Sequence, residues 1–360
     1  MIQTRNGRVN PANISQPLPT AIKSSPGLAA GFDGGFGSAK LVTPNARIAC
    51  PSYVLPIDPN DVYELPPRRD GAMIEYLDGA AINLCHRAFL VGSHAIKRAP
   101  NDVYQVVGNK SGKIDFGLQM LLGAIAASNP QNDLSVALIA SIQDAKAVGD
   151  RLKRALAGEH KIRINGGQIV TVNIKPLGIV EEGLGAAYEW RRQRSEISVH
   201  DSSIASVDFG TGTTIVSVWD GGSLTNRRVI PGGTNKLIEA IANNLDFRKH
   251  LSGHPAKRHL IRTGIERCDF KYGATGFDFK SIYQLEGRKW LKQTIAEIEN
   301  ALAARREEIE EIIAIGGGSL MPGLEKQIRE KGYQPIENPV FANAIGLQAL
   351  ASLKLRKGGC

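Results

Sequence analysis

Two stretches decide how this chain reads: Asp33-Gly34-Gly35-Phe36-Gly37-Ser38-Ala39-Lys40 and Asp208-Phe209-Gly210-Thr211-Gly212-Thr213-Thr214. Each follows a short apolar run, Leu28–Asp33 in one case and Ile204–Asp208 in the other. Each opens onto a second run, Lys40–Thr43 or Thr214–Trp219. Strand, glycine turn and return strand make a hairpin. A single Asp-x-Gly-x-Gly is no more than a tight turn, since glycine is the default residue of turns. Two copies in the same strand context predict two related halves that face each other.

A glycine-rich turn aims several backbone N–H groups at one point, and such a concavity receives phosphate oxygens. Glycine fits because it tolerates positive φ and lets a ligand approach the backbone closely. An aspartate at the end of each strand would repel phosphate, but it suits a hydrated Mg²⁺, which takes oxygen ligands and keeps several waters. Lys40 supplies positive charge, and the Thr213 and Thr214 hydroxyls add hydrogen bonds. A third glycine run, Gly316-Gly317-Gly318, sits between the apolar Ile312–Ile315 and a helix expected near Pro322. It reads either as an ordinary strand-to-helix connection or as a flat backbone shelf for a nucleobase or ribose. GxxxxGK[ST] is absent, which excludes a P-loop. Gly183-Leu184-Gly185 lacks the third glycine of the dinucleotide fingerprint.

Around these motifs strands in hairpins mix with helices, which predicts an α/β protein with mixed sheets. Ala72–Leu77 and Ala81–Leu84 flank Asp78-Gly79, a hairpin signal, and Lys161–Ile164 and Ile169–Ile174 flank Asn165-Gly166-Gly167. Helical spacing predicts helices over Ile114–Ala127, Asp144–Ala157, Leu184–Arg194, Lys236–Asn244, Ala256–Glu266 and Phe341–Leu353, with a long charged one over Arg288–Ile309. Residues 1–27 are rich in Pro, Ser, Asn and Gln, carry Arg5, Arg8 and Lys23 and no acid, and read as a disordered basic arm. Residues 355–360 read as a flexible basic tail. Domain I is expected over 28–200 plus 335–354, and domain II over 201–334.

The chain has 360 residues, 42% hydrophobic and 22% charged, enough for two domains with real cores and no need of disulfides. No apolar stretch approaches the roughly 20 residues a membrane helix takes. The cysteines at 50, 85, 268 and 360 form neither a CxxC pair nor a zinc spacing, which fits free thiols in a reducing cytoplasm. The net charge of +9 is concentrated in the two ends, so it reads as solubility or as contact with DNA, anionic lipid or an acidic partner. His250, His254 and His259 lie in a basic run without carboxylate or cysteine at ligand spacing, so a surface patch is the better reading. Trp190 and Trp290 read as core residues of helices.

The order Asp33-x-Gly-x-Gly-x-x-Lys40, Glu181-Glu182-Gly-Leu-Gly-Ala-Ala-Tyr-Glu189, Asp208-x-Gly-x-Gly-Thr-Thr214, Gly316-Gly-Gly318 resembles the actin, sugar kinase and DnaK-type chaperone superfamily, with its phosphate-1, connect-1, phosphate-2 and adenosine motifs. The match spans about Leu28 to Leu353. Size, the Asp-x-Gly-Phe-Gly-x-x-Lys form and the Asn165-Gly166-Gly167 hairpin look like the ParM/StbA-type bacterial and archaeal actins. The resemblance implies an actin-like ATPase fold of two related domains with a nucleotide cleft between them. It implies ATP and ADP as ligands, with Mg²⁺ held through water by Asp33 and Asp208. Lys40 and the backbones of Gly35, Phe36, Gly37, Ser38, Gly210, Thr211 and Gly212 would hold phosphates. Glu182 would position the attacking water, Glu181 being its neighbouring alternative. Gly232, Gly233, Thr234, Lys236 and Glu239 would approach ribose and adenine, together with Gly316–Gly318. Gly34 and Ser38 depart from relatives that carry a hydrophobic residue and Asn or Thr there. The implied behaviour is head-to-tail self-assembly with ATP, for plasmid or other DNA segregation through a DNA-bound adaptor. A filament for cell shape or organelle positioning, a small-molecule kinase and a non-polymerising scaffold ATPase are the alternatives.

Overall fold

The computed structural model describes residues 27–58, 60, 70–99, 104–105, 110–194 and 203–357. The basic arm expected over 1–27 lies outside the described residues except for Gly27, as do the last three residues of the expected tail.

The chain begins with a meander of β1 (Leu28–Gly34), β2 (Ser38–Val42) and β3 (Arg47–Pro51), each antiparallel to the next. Then come β4 (Tyr53–Ile57), β5 (Met73–Gly79), β6 (Arg87–Val91), α1 (Ser93–Arg98) and β7 (Tyr104–Gln105). Next are α2 (Lys110–Asp115), α3 (Gly117–Ala127), β8 (Asp133–Ile142), α4 (Ala145–Leu156), β9 (Gly158–Ile164), β10 (Ile169–Glu181) and α5 (Leu184–Gln193). A second meander follows, β11 (Ser203–Phe209), β12 (Thr213–Asp220) and β13 (Ser223–Pro231). It leads through α6 (Gly233–Asn243), α7 (Leu245–His250), α8 (Arg258–Glu266), β14 (Lys271–Tyr272), β15 (Phe277–Asp278) and α9 (Lys280–Leu302). The chain closes with β16 (Glu311–Ile315), α10 (Leu324–Glu330), β17 (Tyr333–Pro335) and α11 (Ala342–Lys357).

The two meanders seed two sheets with one plan. In the first, the order starts β3-β2-β1-β8-β10, with β8 parallel to β1 and β10 parallel to β8. In the second it is β13-β12-β11-β16-β17, with β16 parallel to β11 and β17 parallel to β16. Each is therefore a three-strand meander followed by two parallel strands, and the sequence repeat is a structural repeat. The first sheet continues through β9-β5-β6-β4-β7 to ten strands. Within β8 the buried stretch Val136–Ala140 is a continuous apolar run because it pairs on both edges and is covered on both faces.

Each sheet has its own core. Every residue of α3 is buried, so this helix lies wholly inside the first half. In the second half α6, α8 and α9 pack on the sheet, with Trp290 buried and its indole N–H donating to the Gly233 carbonyl. The helices that join the halves exchange sides. α5 follows the first sheet, yet its Ala186, Ala187 and Trp190 pack on Ile204, Trp219, Ile313 and Ile315 of the second. α11 follows the second sheet and packs on β1 and β8 of the first. The two helices cross with almost no side chain between them: a Cβ on Gly346 would lie 1.8 Å from the Gly185 carbonyl oxygen.

Several elements differ from expectation. Asp78-Gly79 ends β5 and turns nothing by itself; Ile82–Leu84 is a short 3-10 turn and the return strand is β6. The helix expected over Ile114–Ala127 is broken at Phe116 into α2 and α3. The long charged helix runs over Lys280–Leu302, eight residues ahead of the expected Arg288 start, because its buried stripe begins at Ile282 and Tyr283. α11 stays helical to Lys357, past the boundary expected at 354.

Candidate active site

The ends of β1 and β11 meet at one cavity of about 1040 Å³. It is lined by both glycine hairpins, by Glu182 and by Gly316–Gly318. Asp33 lies on β1 and accepts a hydrogen bond from Ser141 Oγ at 3.1 Å, with Lys40 Nζ 3.9 Å away. Asn343, at the start of α11, donates in turn to Ser141 Oγ at 3.0 Å. Asp208 is the matching residue of β11. Burial pushes its carboxyl up to about 6, opposed by Lys40 and reinforced by Asp33.

The hairpin loops are held from behind. Ser52 Oγ donates to the Gly35 carbonyl at 2.6 Å and Ser52 N to the Gly37 carbonyl at 3.2 Å. The second loop is clasped by the start of α6: Gly232 N, Thr234 N and Asn235 N donate to the carbonyls of Gly212, Gly210 and Thr211 at 2.8, 3.0 and 2.9 Å. The two tips touch across the cavity. A Cβ on Gly37 would lie 2.3 Å from Thr211 Oγ1, and one on Gly212 would lie 2.9 Å from the Phe36 ring. None of Gly35, Gly37, Gly210 and Gly212 has a positive φ. The expectation that left-handed backbone demands glycine there is thus corrected: close approach of the opposite loop and of neighbouring atoms demands it. Positive φ belongs to the third loop, where Gly316 sits at +82° and a Cβ would fall 2.1 Å from Asp208 Oδ1. Gly316 thereby leaves room for the carboxylate, and Gly317 faces open space in the cavity.

The neighbours Glu181 and Glu182 part at the end of β10. Glu181 turns to the start of α4, accepting from Asp144 N at 3.1 Å and Ala145 N at 2.7 Å, and pairs with Arg227 at 2.6 Å. An acid at a helix N-terminus is stabilised by the exposed N–H groups, so Glu181 is structural. Glu182 lines the cavity and pairs with Lys113. Arg227, from β13, also donates to the Glu182 carbonyl oxygen at 2.6 Å, tying the second sheet to this turn.

Thr213 lines the cavity but Thr214 is buried on the other face of β12, as strand alternation requires. Ser38 lines the cavity. Gly232 and Gly233 build the second loop from behind and are not part of the lining, whereas Thr234 and Ile238 are. Lys236 folds its stem over Gly232, and Glu239 pairs with Arg258 at 2.8 Å, away from the lining. Sequence reasoning passed over Lys113, Ser141, Arg227 and Asn343. No glycine marks them, and tertiary packing alone brings them to the site.

The donor set fits a hydrated Mg²⁺. Two carboxylates at equivalent strand ends share the cavity, and the raised Asp208 gains from a cation. Among the described residues no three His, Cys, Asp or Glu gather to ligate a metal directly, and Mg²⁺ characteristically keeps its waters.

No protein-family model matches the chain, and no curated protein does. Its fold is actin-like, two related α/β halves with the candidate site between them. Ta0583, an archaeal actin homolog, aligns over 91% of this chain and 99% of its own with a TM-score of 0.70 at 18% identity. ParM of Bacillus thuringiensis, solved with ATP, aligns over 92% of this chain and 99% of its own with a TM-score of 0.67 at 17% identity. The actin-like protein Alp7A gives 0.69 at 16% identity over 92% and 97%.

Proposed function

We propose that this chain binds Mg-ATP in the cavity between its two sheets, hydrolyses it, and assembles head-to-tail into filaments. The observation that carries the reading is the meeting of two structurally equivalent Asp hairpins, tip to tip, at one cavity with Glu182 beside them. Backbone N–H groups of both loops and Lys40 would hold the phosphates. Asp33 and Asp208 would hold Mg²⁺ through its waters, and the ion would supply charge neutralisation at the phosphate chain. Gly316–Gly318, Thr234 and Ile238 would receive the nucleoside. Glu182 would orient a water whose oxygen bonds to the γ-phosphorus as the bond to the bridging oxygen breaks. ADP leaves with that electron pair, and the water's proton ends on phosphate. Positioning and charge stabilisation are most of what a protein contributes to such a transfer.

Because the loops belong to different sheets, a ligand gripping both favours closure, a hinge motion with differential contacts. Closure that forms one pair of unlike but complementary surfaces yields an open filament. The ParM and Alp7A likeness supports this reading, and segregation of DNA through a DNA-bound adaptor is its cellular form. No described helix is long and apolar enough to cross a membrane, and Cys50, Cys85 and Cys268 are unpaired; a cytoplasmic site of action accords with both. The basic charge at the two ends suits an adaptor, nucleic acid or lipid. The test is light scattering at tens of micromolar protein: scattering rises on adding Mg-ATP and decays as ATP is spent. A flat trace with ATP bound overturns assembly, and absence of nucleotide binding overturns the whole reading.

A further inference from the structure

Lys113 is a cation that the glycine motifs do not account for. It stands on α2, a six-residue helix set off from α3 by the break at Phe116. Its ammonium reaches the cavity and pairs with Glu182; both side chains are nearly buried, at 11% and 15% exposure. Lys113 also lines a narrow crevice behind the first hairpin, together with Phe32, Gly34, Met120 and Leu152. A Cβ added at Gly34 would meet nothing within 4 Å, so the crevice has room on that side for a larger side chain. Lys113 and Lys40 are the lysines of the cavity lining among the described residues. Burial holds the Lys113 ammonium down to about 8, with Asp33 and Asp208 drawing it back up. A desolvated ammonium gains from any further anion brought within reach.

We propose that Lys113 is the residue that senses the terminal phosphate of a triphosphate: it holds Glu182 when only a diphosphate is bound and shares its ammonium with the γ-phosphate when ATP is bound. This rests on the ATPase reading above. If Glu182 orients the attacking water, then a cation in contact with Glu182 lies at the γ-phosphate end of the chain, not at the α- or β-phosphate. Lys40, paired with Asp33 on the hairpin itself, serves the inner phosphates. Exchange of Lys113 from carboxylate to phosphate frees the Glu182 oxygens for water only when there is a γ-phosphate to attack. Lys113 acts on the water through Glu182 and so is a positioning residue as well as a phosphate contact.

The test compares affinities for ADP and for a non-hydrolysable ATP analogue, with Mg²⁺, in the full chain and its Lys113→Met variant, which keeps the length of the stem. The expected result is a loss of about tenfold or more for the triphosphate, with ADP affinity within about twofold of wild type, an effect of the size one charge-assisted contact gives. Lys113→Arg restores most of the triphosphate preference. Gly34→Leu, which extends a side chain into the crevice that Lys113 lines, lowers the same preference without touching a charge. Equal losses for both nucleotides overturn the proposal and make Lys113 a general anion contact. Unchanged affinities overturn it and make the lysine structural. A wild-type chain that binds neither nucleotide overturns the ATPase reading itself, a result distinct from either.

Discussion

The two hairpins share a topology but are provisioned differently. Asp33 has Lys40 on its own hairpin and a hydrogen bond from Ser141, itself held by Asn343 of α11. Asp208 has the backbone gap made by Gly316 and a carboxyl raised to about 6 by burial. The first loop is fastened by a side chain, Ser52, and the second by the backbone of α6. A repeated fold thus supplies the positions of two carboxylates, while local packing makes one of them self-sufficient and leaves the other in need of a cation. On the Mg-ATP reading proposed above, the asymmetry gives Asp208 the greater share of the metal dependence.

Removing each carboxylate in turn is the strongest way to break that comparison. Asp208→Asn is expected to lower Mg-ATP turnover by about a thousandfold, the scale of losing a major electrostatic element of a site. Asp33→Asn is expected to cost at least tenfold less, since Lys40 and Ser141 remain. Steady-state phosphate release measures both, and equal losses would erase the distinction. Glu182→Gln comes next: phosphate release falls about a hundredfold while nucleotide affinity holds within about threefold, as expected for a group that acts on the water. The same change at Glu181 should instead lower thermal stability, because it uncaps α4 and strands Arg227.

The third loop offers a smaller but cleaner perturbation. Gly316→Ala puts a methyl group against Asp208 and forces alanine to φ near +82°, so a loss of about 1–3 kcal/mol in stability is expected. Nucleotide affinity should fall with it. Gly34→Ala, with open space and no positive φ, should leave both unchanged. Denaturant unfolding and nucleotide titration separate the two.

Proton linkage sharpens the contrast without a substitution that alters shape. An acid whose folded pKa is raised binds more protons folded than unfolded. Its contribution therefore falls as pH rises from the ordinary carboxylate range through about 6, and is flat beyond. In metal- and nucleotide-free buffer, thermal unfolding of the wild type should show this decline, and Asp208→Asn should remove it. The smallest effect belongs to Glu239→Ala. Its exposed pair with Arg258 is worth under about 1 kcal/mol, and nucleotide binding should not change.

The glycine motifs made the paired sheets legible because a hairpin with an acid at its strand end leaves a local pattern, and that pattern occurs twice. The Asn165-Gly166 turn was legible for a related reason: Asn165 and Gly166 take the positive φ their types allow. Other features had no local trace. β3 and β4 were missed because Arg47–Ile57 alternates poorly around Pro51 and Pro56. The break at Phe116 is invisible in helical spacing, since apolar residues continue across it. The exchange of α5 and α11 between sheets shows only as scattered Gly and Ala residues, whose meaning depends on a partner more than 150 residues away. Lys113, Arg227 and Asn343 belong to the same class. The choice between Glu181 and Glu182 needed coordinates, because one residue along a strand end reverses the direction of the side chain.

The central claim is that two hairpins from two sheets form one nucleotide clamp. Calorimetric titration of Mg-ATP into the wild-type chain, Gly37→Val and Gly212→Val tests it most directly, because each valine pushes into the opposite loop rather than into its own. A single clamp predicts one site per chain, weakened about tenfold or more by either substitution. Two sites, or a site that only one of the two valines disturbs, would contradict it.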